Sequence, residues 1–486
     1  MDENTNSSGE WPFFLSIAKV HPDKRRESLY NIVVTILPKK SSKLLFQSVL
    51  FLIAEELEIL QDPDKAIISD SYKVNFHLLS IVCDLPARAK VLLQKAHNGR
   101  FSCVFCEEKG KNCVTNKRKI VFPFKHSNLR TKASIVKNII EKKKGFFGEF
   151  CQLFRISCFT PNLFTAIDLM HLILEGIAKK LFKELTLKSS PFYCEKFKRN
   201  TIEKNISLIK LAPNWHHVMP TSLKKISALQ SLFVIVYGTG CFTCVGEDFM
   251  SLMNGIKEIV VLALKPEINV DDMATIRSMC NNFLAKYQQL MGEKYMTHNL
   301  HLLKHLYRDI YLLGPSWTHI MFQFEGFNHD INKLQTSRAN FYKRIILNYN
   351  EQCEAESMIK KIIENNPPLK FIYDQLQKLR EKSCPYERIN GFCFPRRRGQ
   401  YSNYAKLING KVGEIVFKEA KTNQNLQIFF KEIDMNNLGR NHHKIEIKKE
   451  EIEKQVIVTR KLFMIDEDDF QLVFDTQDVL NLKNFL

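Results

Sequence analysis

Two cysteines separated by two residues mark the first place where this sequence could do chemistry. Cys103 and Cys106 lie in HNGRFSCVFCEEKGKNC, and this gap lets two thiolates bind one tetrahedral zinc ion. A local set of four ligands would be completed by His97 and Cys113. The alternative is two unligated cysteines in a loop, because a chain with 13 cysteines contains such pairs by chance. The spacing predicts zinc binding and leaves the remaining ligands open.

Three histidines in THNLHLLKHLYRDIYLLGP offer a second set of ligands. His298, His301 and His305 lie three and four residues apart, which places them on one face of a predicted helix. His301 and His305 can point two imidazoles at one metal ion, whereas a single histidine is more often part of a polar helix face. Combined with Cys103 and Cys106, they would supply four ligands, the usual number for a closed structural site.

Carboxylates at two other positions are candidates for metal binding or catalysis. Asp84 follows the predicted strand Tyr72–Cys83, and Pro86 begins the next helix, so Asp84 would lie where open α/β sheets place functional groups. Asp168 and His171 lie three residues apart in IDLMHLILEG. They form either a catalytic pair or, as we favour for Asp168, a capping and packing contact.

Glu325 follows the aromatic run WTHIMFQF. We expect Phe322, Phe324 and Phe327 to be buried there. A carboxylate among such neighbours is either a satisfied core charge or a metal ligand. The alternative is an ordinary exposed glutamate on a helix.

The elements that must position these residues begin with alternating strands and helices. Trp11–Val20 and Leu29–Leu37 are predicted strands, and Ser41 or Ser42 is predicted to cap a helix that runs to about Leu60. From residues 133 to 363 the apolar spacing predicts helices. A basic linker follows, and short β-rich runs (GEIVF, LQIFF, QVIVTRKLFMI, FQLVF) between residues 401 and 474 predict a small barrel or sandwich.

Charge and composition restrict the function classes. The chain has 71 Lys and Arg against 52 Asp and Glu, a net charge of +19, which favours a polyanion such as nucleic acid because phosphate contacts release counterions. The alternative is a lysine-rich protein without such a ligand. We expect free thiols plus a metal site rather than disulfides. The acidic, polar start MDENTNSSGE predicts no signal peptide, and no apolar window predicts a membrane span.

Three sequence blocks, in order between Trp11 and about Asn332, together resemble CACTA-type transposases. CDLPARAKVLLQKAHNGRFSCVFC resembles the family's CDAPARA…HxG…CxxC block. FTAIDLMHLILEGIAKKLF resembles its DxMHxxxLG block, and THNLHLLKHL…GPSW…FEGFN resembles its THNLH…GPLW…FExxN block. The pattern is also similar to the catalytic subunit of the V(D)J recombinase, a relative of this class.

The resemblance implies a fold and a domain order. The fold would be an α/β RNase H-like core with a mixed sheet, a large all-α insertion and a small β-rich C-terminal domain. The implied segments are the core with the CxxC half-site at 1–130, the helical insertion at 131–293, the histidine and glutamate helices at 294–366, a basic linker at 367–400 and the β-rich domain at 401–486.

The resemblance also implies site residues and ligands. Asp84 and Glu325 would be the second and third catalytic carboxylates, binding Mg²⁺ or Mn²⁺ ions about 3.5–4 Å apart for DNA strand cleavage. The structural zinc ligands would be Cys103, Cys106, His301 and His305, which leaves His298 as the spare histidine. Transposon-end DNA, a homodimer and nuclear residence follow from the same family. No membrane and no small-molecule substrate are implied.

One family feature has no counterpart in the sequence. The family's first catalytic aspartate, in an Asp-Gly before Ser-Ser and Trp-Pro, would precede Ser7 and Ser8, where only Asp2 and Glu3 offer carboxylates. We expect either an N-terminally truncated, catalytically impaired transposase or substitution by Asp2, which a chain terminus disfavours. A non-catalytic DNA- or chromatin-binding remnant and a zinc-stabilised helical scaffold are the alternatives.

Overall fold

Helices account for most of the regular structure, as the apolar spacing predicts. The computed structural model describes residues 10–18, 20, 30–38, 41–62, 64, 67–69, 72–74, 76–116, 118–209, 219–334, 341–366 and 370, together with the strands between residues 386 and 471. The α-helices are α1 (Lys43–Gln61), α2 (Leu85–Val91), α3 (Lys132–Ile140), α4 (Pro161–Phe164), α5 (Lys179–Glu184), α6 (Lys196–Leu208), α7 (Ala228–Tyr237), α8 (Glu247–Ala263), α9 (Val270–Met291), α10 (His298–Leu303), α11 (Leu306–Leu313), α12 (Phe322–Lys333) and α13 (Phe341–Glu364).

Other helical types and short strands complete the described elements. A π-helix spans Met170–Ala178. The 3₁₀ helices are Gln152–Arg155, Leu223–Lys225, Thr239–Val245, Glu293–Tyr295 and Ser316–His319. The strands are β1 (Glu10–Ser16), β2 (Asn31–Pro38), β3 (Ile67–Ser69), β4 (Tyr72–Val74), β5 (Lys111–Asn112), β6 (Ile120–Val121), β7 (Tyr386–Ile389), β8 (Phe392–Pro395), β9 (Tyr404–Lys406), β10 (Val412–Glu419), β11 (Leu426–Ile433), β12 (His442–Glu446), β13 (Phe463–Met464) and β14 (Phe470–Gln471).

The chain divides into two compact units. Unit 1 comprises residues 1–173 and 268–359, and unit 2 comprises residues 174–267 and 360–486. The candidate ligands and carboxylates of the described chain all lie in unit 1. The boundaries at 173 and 268 fall inside the segment 131–293 that the resemblance assigns to a helical insertion.

An antiparallel hairpin of β1 and β2 forms the first part of unit 1. Its register is irregular between Phe13 and Phe14. The rings of Trp11 and Phe13 pack edge-on against Phe46 of α1, with centroids 5.6 and 5.3 Å apart. Both predicted strands are confirmed, although β1 ends earlier than predicted.

Helix α1 follows its sequence signals closely. The Ser42 hydroxyl accepts a hydrogen bond from the Leu45 amide at 3.2 Å, which satisfies one of the first backbone donors of the helix. Phe46, Leu50 and Ala54, four residues apart, are buried on one face. The predicted cap and the predicted helix are therefore confirmed.

The predicted strand Tyr72–Cys83 is wrong beyond Val74. Strand β4 pairs only with β3, and the Phe76 amide donates to the Leu60 carbonyl at the end of α1. Ile81 then forms a single parallel bridge with Thr165. The backbone groups of this segment therefore find partners in several places, which prevents one long strand.

The last helices of unit 1 pack against the hairpin. Phe327 of α12 and Tyr349 of α13 share a buried cluster with Val33 of β2. The burial predicted for Phe327 is confirmed, whereas Phe322 and Phe324 are only partly buried. They are partly exposed because the face of α12 that packs on the hairpin carries Phe327.

Unit 2 combines helices with C-terminal strands. Ser227 and Gln230 form a reciprocal capping box at the start of α7, and the rings of Phe182 and Phe242 stack at 5.9 Å. Strands β9 to β12 form an antiparallel sheet in the order β12-β11-β10-β9, which confirms strands in GEIVF and LQIFF. The basic residues 396–398 lie outside the described residues, as does Asp2.

Strand pairing within the described residues is almost entirely antiparallel. There are five two-stranded sheets and one four-stranded sheet, and the parallel contact is the Ile81–Thr165 bridge. The RNase H-like mixed sheet stays a prediction. No single described helix is long and apolar enough to cross a membrane, while Ala228–Tyr237 and Thr239–Val245, bent by 77°, reach that length and composition only as a pair.

Candidate metal centre

Two thiols and two imidazoles from distant parts of unit 1 meet in one buried cluster. The ligand atoms of Cys103, Cys106, His301 and His305 all lie within 4.8 Å of one another. Cys106 Sγ is 3.3 Å from His301 Nε2, and Cys103 Sγ is 3.6 Å from His305 Nε2. Metal–sulfur bonds of about 2.3 Å and metal–nitrogen bonds of about 2.0–2.1 Å at tetrahedral angles place sulfur and nitrogen about 3.6 Å apart. The cluster can therefore hold a metal ion with little movement.

The local completion of the CxxC pair is not formed. His97 is exposed, and the Cys113 thiol pairs with the Thr115 hydroxyl at 3.2 Å. Neither residue belongs to the cluster of four found among the described residues. The remote pair of histidines supplies the other two ligands.

The two ligand histidines do not share one continuous helix. Helix α10 carries His301 and ends at Leu303, and His305 is the N-cap of α11. The His305 amide donates to Leu302, three residues earlier, at 2.9 Å. This tighter turn separates the helices, so the prediction of one helix face was wrong while its pairing of the two histidines was right.

A buried arginine holds the CxxC turn. Arg130 Nε donates to the carbonyls of Cys103 and Cys106, both at 3.0 Å, and Nη2 donates to the Lys144 carbonyl at 2.9 Å. Its guanidinium lies over the Phe146 ring, 5.2 Å from the centroid. The planar fork of donors suits this task, and no sequence signal marked Arg130 as part of the site.

Burial controls the protonation of the ligands. Burial raises the pKa of the Cys103 thiol, whereas hydrogen bonds from Cys103 and from the imidazoles of His301 and His305 lower the pKa of Cys106 well below its ordinary value. Burial also lowers the pKa of His305 to about 4. The His305 ring is therefore neutral near pH 7 and offers a lone pair, as a metal ligand must.

The spare histidine belongs to the support of the site. His298 Nδ1 lies 3.0 Å from the Ser102 hydroxyl, and Nε2 lies 3.3 Å from Arg88 Nη2. Burial and the charge of Arg88 hold the pKa of His298 well below its usual range. Its ring also meets Phe122 edge-on at 5.3 Å, so it links α10 to the segments around the CxxC turn.

The candidate carboxylate Asp84 lines a pocket close to this cluster. Its Oδ1 accepts the Ala87 amide at 2.7 Å and so caps α2. Asp84 and Asp168 each follow the paired residues Ile81 and Thr165 by three positions, and both line one pocket together with His171. Parallel pairing brings the two aspartates to the same edge.

Asp168 is fully engaged in hydrogen bonds. Oδ1 accepts the amides of Met170 at 3.2 Å and Met321 at 2.8 Å. Oδ2 accepts the His171 amide at 3.0 Å and contacts His171 Nδ1 at 2.5 Å. The favoured capping role of Asp168 is confirmed, and the Met321 contact fixes the chain one residue before α12.

Glu325 reaches the same neighbourhood through His171. Glu325 lies in the first turn of α12, its side chain is 55% exposed, and its Oε1 is 3.8 Å from His171 Nε2. His171 lines the pocket that Asp84 also lines. Glu325 is not among the residues that line this pocket, so its link to Asp84 is indirect and runs through His171.

A second buried aspartate–histidine pair was missed by the sequence analysis. Asp309 accepts the Ile167 amide at 2.8 Å and His319 Nε2 at 2.8 Å. It ties the segment beside Asp168 to α11 and to the turn that precedes α12. In the sequence this pair is visible only as two polar residues in an apolar region, a pattern that does not predict their contact.

Comparison of the chain with protein-family models, with characterised proteins and with solved structures found no match.

Proposed function

We propose that this chain is a transposase-derived DNA-binding protein, by descent a two-metal DNA strand-cleavage and strand-transfer enzyme of a cut-and-paste transposon. The observation that carries the proposal is the meeting of the CxxC pair with His301 and His305. Two of the three sequence blocks that resemble the family supply these ligands, and the third supplies His171 beside Glu325. If the three blocks descend from one transposase, their functional residues are expected to lie together in the folded chain.

The ion that best suits the four-ligand cluster is Zn²⁺. Two thiolates and two imidazoles are borderline-soft donors that favour zinc over magnesium. The four ligands fill a tetrahedral site, and all four residues are buried, as in closed structural zinc sites. This site clamps α10 and α11 to the CxxC turn.

The pocket beside the cluster suits a hard cation. Asp84 and Glu325 are the residues that would hold Mg²⁺ or Mn²⁺, because carboxylate oxygens are the preferred donors of these ions. Such ions, when bound, activate water or a 3′-hydroxyl and stabilise the leaving oxygen. Two hydrogen-bonding carboxylates fix the positions of the helices that carry these residues. Asp168 accepts the Met321 amide just before α12, and Asp84 caps the start of α2.

DNA is the partner that matches the charge. The net charge of +19 provides phosphate contacts whose counterion release makes binding salt-dependent. A homodimer and residence in the nucleus belong to the same proposal, through the family resemblance alone.

A nicking assay tests the proposal. Zinc-loaded full-length protein is incubated with supercoiled plasmid and Mg²⁺ or Mn²⁺, alongside Asp84→Ala, Glu325→Ala and the matched control Glu55→Ala, an exposed carboxylate of α1. The missing first aspartate predicts impaired nicking by the parent. Any residual nicking should be lost in Asp84→Ala and Glu325→Ala and kept in Glu55→Ala, with DNA binding retained in all four.

A non-catalytic DNA-binding protein is the second candidate, and the engagement of Asp168 favours it. Both Asp168 oxygens already accept two hydrogen bonds each. The carboxylates left for cations are Asp84, which lines the pocket, and Glu325, which contacts the pocket residue His171. Salt-dependent DNA binding without nicking would support this candidate. Absence of binding at low salt would reject both candidates.

A further inference from the structure

We infer that Glu108 is a positioning residue of the metal centre, which holds the Nδ1 side of His301 so that Nε2 faces the ion. The inference rests on the zinc-binding part of the proposed function and does not depend on DNA cleavage. Glu108 follows Cys106 by two residues.

The Glu108 side chain is completely buried between charged partners. Its Oε2 lies 2.8 Å from Lys304 Nζ and 3.7 Å from His301 Nδ1, with no exposed side-chain surface. Lys304 Nζ also donates to the Ser127 hydroxyl at 2.7 Å. A buried carboxylate is costly unless it is paired, so this arrangement needs a partner for each oxygen.

One of the two carboxylate oxygens has no such partner. Within the described residues, Glu108 Oε1 is buried and makes no hydrogen bond. A buried polar atom left in this state destabilises the fold by about 1–3 kcal/mol. The pairing of the Glu108 carboxylate therefore runs through Oε2, the oxygen that lies nearest to Lys304 and His301.

The His301 ring faces the same carboxylate through Oε2, the oxygen that also pairs with Lys304. His301 Nε2 faces Cys106 Sγ at 3.3 Å, and Nδ1 faces the Glu108 carboxylate. When the Nε2 lone pair binds a metal ion, the ring proton sits on Nδ1. The N–H group then points at a carboxylate, the arrangement that fixes ring orientation and raises ligand basicity in metal sites.

The contact between the Glu108 carboxylate and His301 Nδ1 is electrostatic. At 3.7 Å it is longer than a hydrogen bond, but the buried surroundings weaken the field of the carboxylate far less than water would. Lys304 lies between the two ligand histidines in the chain, so its ion pair with Glu108 ties the same carboxylate to the turn between α10 and α11.

The neighbouring residue provides a matched control. Glu107 has the same side chain and lies one position closer to Cys106, but it pairs with Lys144 and accepts from Asn138 Nδ2 at 3.0 Å. Its side chain is 20% exposed, and no ligand histidine is among these partners. The pair Glu108→Gln and Glu107→Gln therefore separates contact with His301 from a general loss of negative charge.

The test measures zinc affinity and the absorption spectrum of the Co²⁺-substituted full-length chain. Competition with a chromophoric chelator should show zinc binding about 10–100-fold weaker for Glu108→Gln, with Glu107→Gln equal to the parent. The Co²⁺ bands should shift in Glu108→Gln alone. Unchanged affinity and unchanged Co²⁺ bands in Glu108→Gln would overturn the inference, whereas a parent chain that binds no zinc would overturn the zinc proposal as well.

A measurement on the parent chain covers the case in which Glu108→Gln does not fold. Nitrogen-15 histidine spectra of the zinc-loaded protein should show His301 protonated at Nδ1 and metal-bound at Nε2. A His301 ring bound to the ion through Nδ1 would leave Glu108 without the proposed N–H partner and would overturn the inference.

Discussion

Cys106 Sγ lies 3.3 Å from His301 Nε2, although 195 residues separate the two in the chain. A contact over this sequence distance closes a long loop, and loop closure opposes folding. A metal ion that binds both residues only in the folded chain adds its binding free energy to stability. We therefore expect the stability of unit 1 to rise when the site binds a metal ion.

The first prediction concerns the four ligands. Cys106→Ser or His301→Ala should reduce bound zinc from one ion per chain to none, measured by elemental analysis. Zinc at about 1,000 times its dissociation constant stabilises a protein by about 4 kcal/mol, so chelation should lower the free energy of unfolding by that order. Cys113→Ser is the control, and equal zinc loss in that variant would contradict the assignment.

The second prediction concerns the four hydrogen bonds that Asp168 accepts. Asp168→Asn keeps the shape but removes the charge that pairs with two amides of its own turn, with His171 and with the amide of Met321. The amide NH₂ that replaces one oxygen cannot accept a hydrogen bond, and a buried donor left unsatisfied costs about 1–3 kcal/mol, measured by denaturant unfolding.

A partly exposed pair gives the comparison for Asp168. Glu175 and Lys179 form an i,i+4 ion pair at 2.8 Å, and such pairs contribute about 0.3–0.5 kcal/mol. If Asp168→Asn and Glu175→Gln destabilised the protein equally, Asp168 would have no anchoring role.

The third prediction is a pH dependence set by His298. Its pKa is lowered in the folded chain by burial and by Arg88, while the unfolded chain binds a proton below about pH 6.5. The unfolded state then holds the extra proton, so the free energy of unfolding falls as pH drops below about 6.5, by up to about 1.4 kcal/mol per pH unit. His298→Gln should reduce this slope and leave the part that His305 contributes, because the pKa of His305 is also lowered, to about 4.

Unfolding curves between pH 5 and pH 8 check the His298 prediction. His126→Gln, at an exposed position, provides the control and should keep the parent's pH profile. A parent slope that survives in full in His298→Gln would show that another group takes up the proton.

The fourth prediction concerns the fork of Arg130. Arg130→Lys keeps the charge but cannot serve the carbonyls of Cys103, Cys106 and Lys144 together. We expect a loss of about 2–3 kcal/mol, since hydrogen bonds from charged groups contribute about 1.5–3 kcal/mol each, together with faster zinc release. Arg100→Lys, whose partner is exposed Asn112, should leave zinc release unchanged.

The two pairs of ligands were predictable from local spacing, and their assignment to one set of four came from the family resemblance. CxxC and the two histidines carry their chemistry in local spacing, and the same holds for Ser42 at the start of α1. Glu108 and Arg130 carried no such signal. Each is a charged residue in a polar stretch, and its burial depends on contacts with residues that lie far away in the sequence or in other turns.

The exact ends of some helices and strands could not be predicted from the sequence either. The break between α10 and α11 arises at one tightened turn at Lys304, which periodicity does not record. The strand predicted through Cys83 ended at Val74 because Phe76 found its partner at the end of α1. Where a helix or strand ends depends on which backbone groups hydrogen-bond in the folded chain, and the local sequence does not show this.

The separation of 195 positions between Cys106 and His301 also sets an order of events on the ribosome. At about 5–20 residues per second, synthesis of this stretch takes about 10–40 s. During that time the two thiols have emerged and their imidazole partners do not yet exist. The helices from Lys179 to Ala263 are translated within the same interval, so this part of the chain is complete before the four metal ligands can meet.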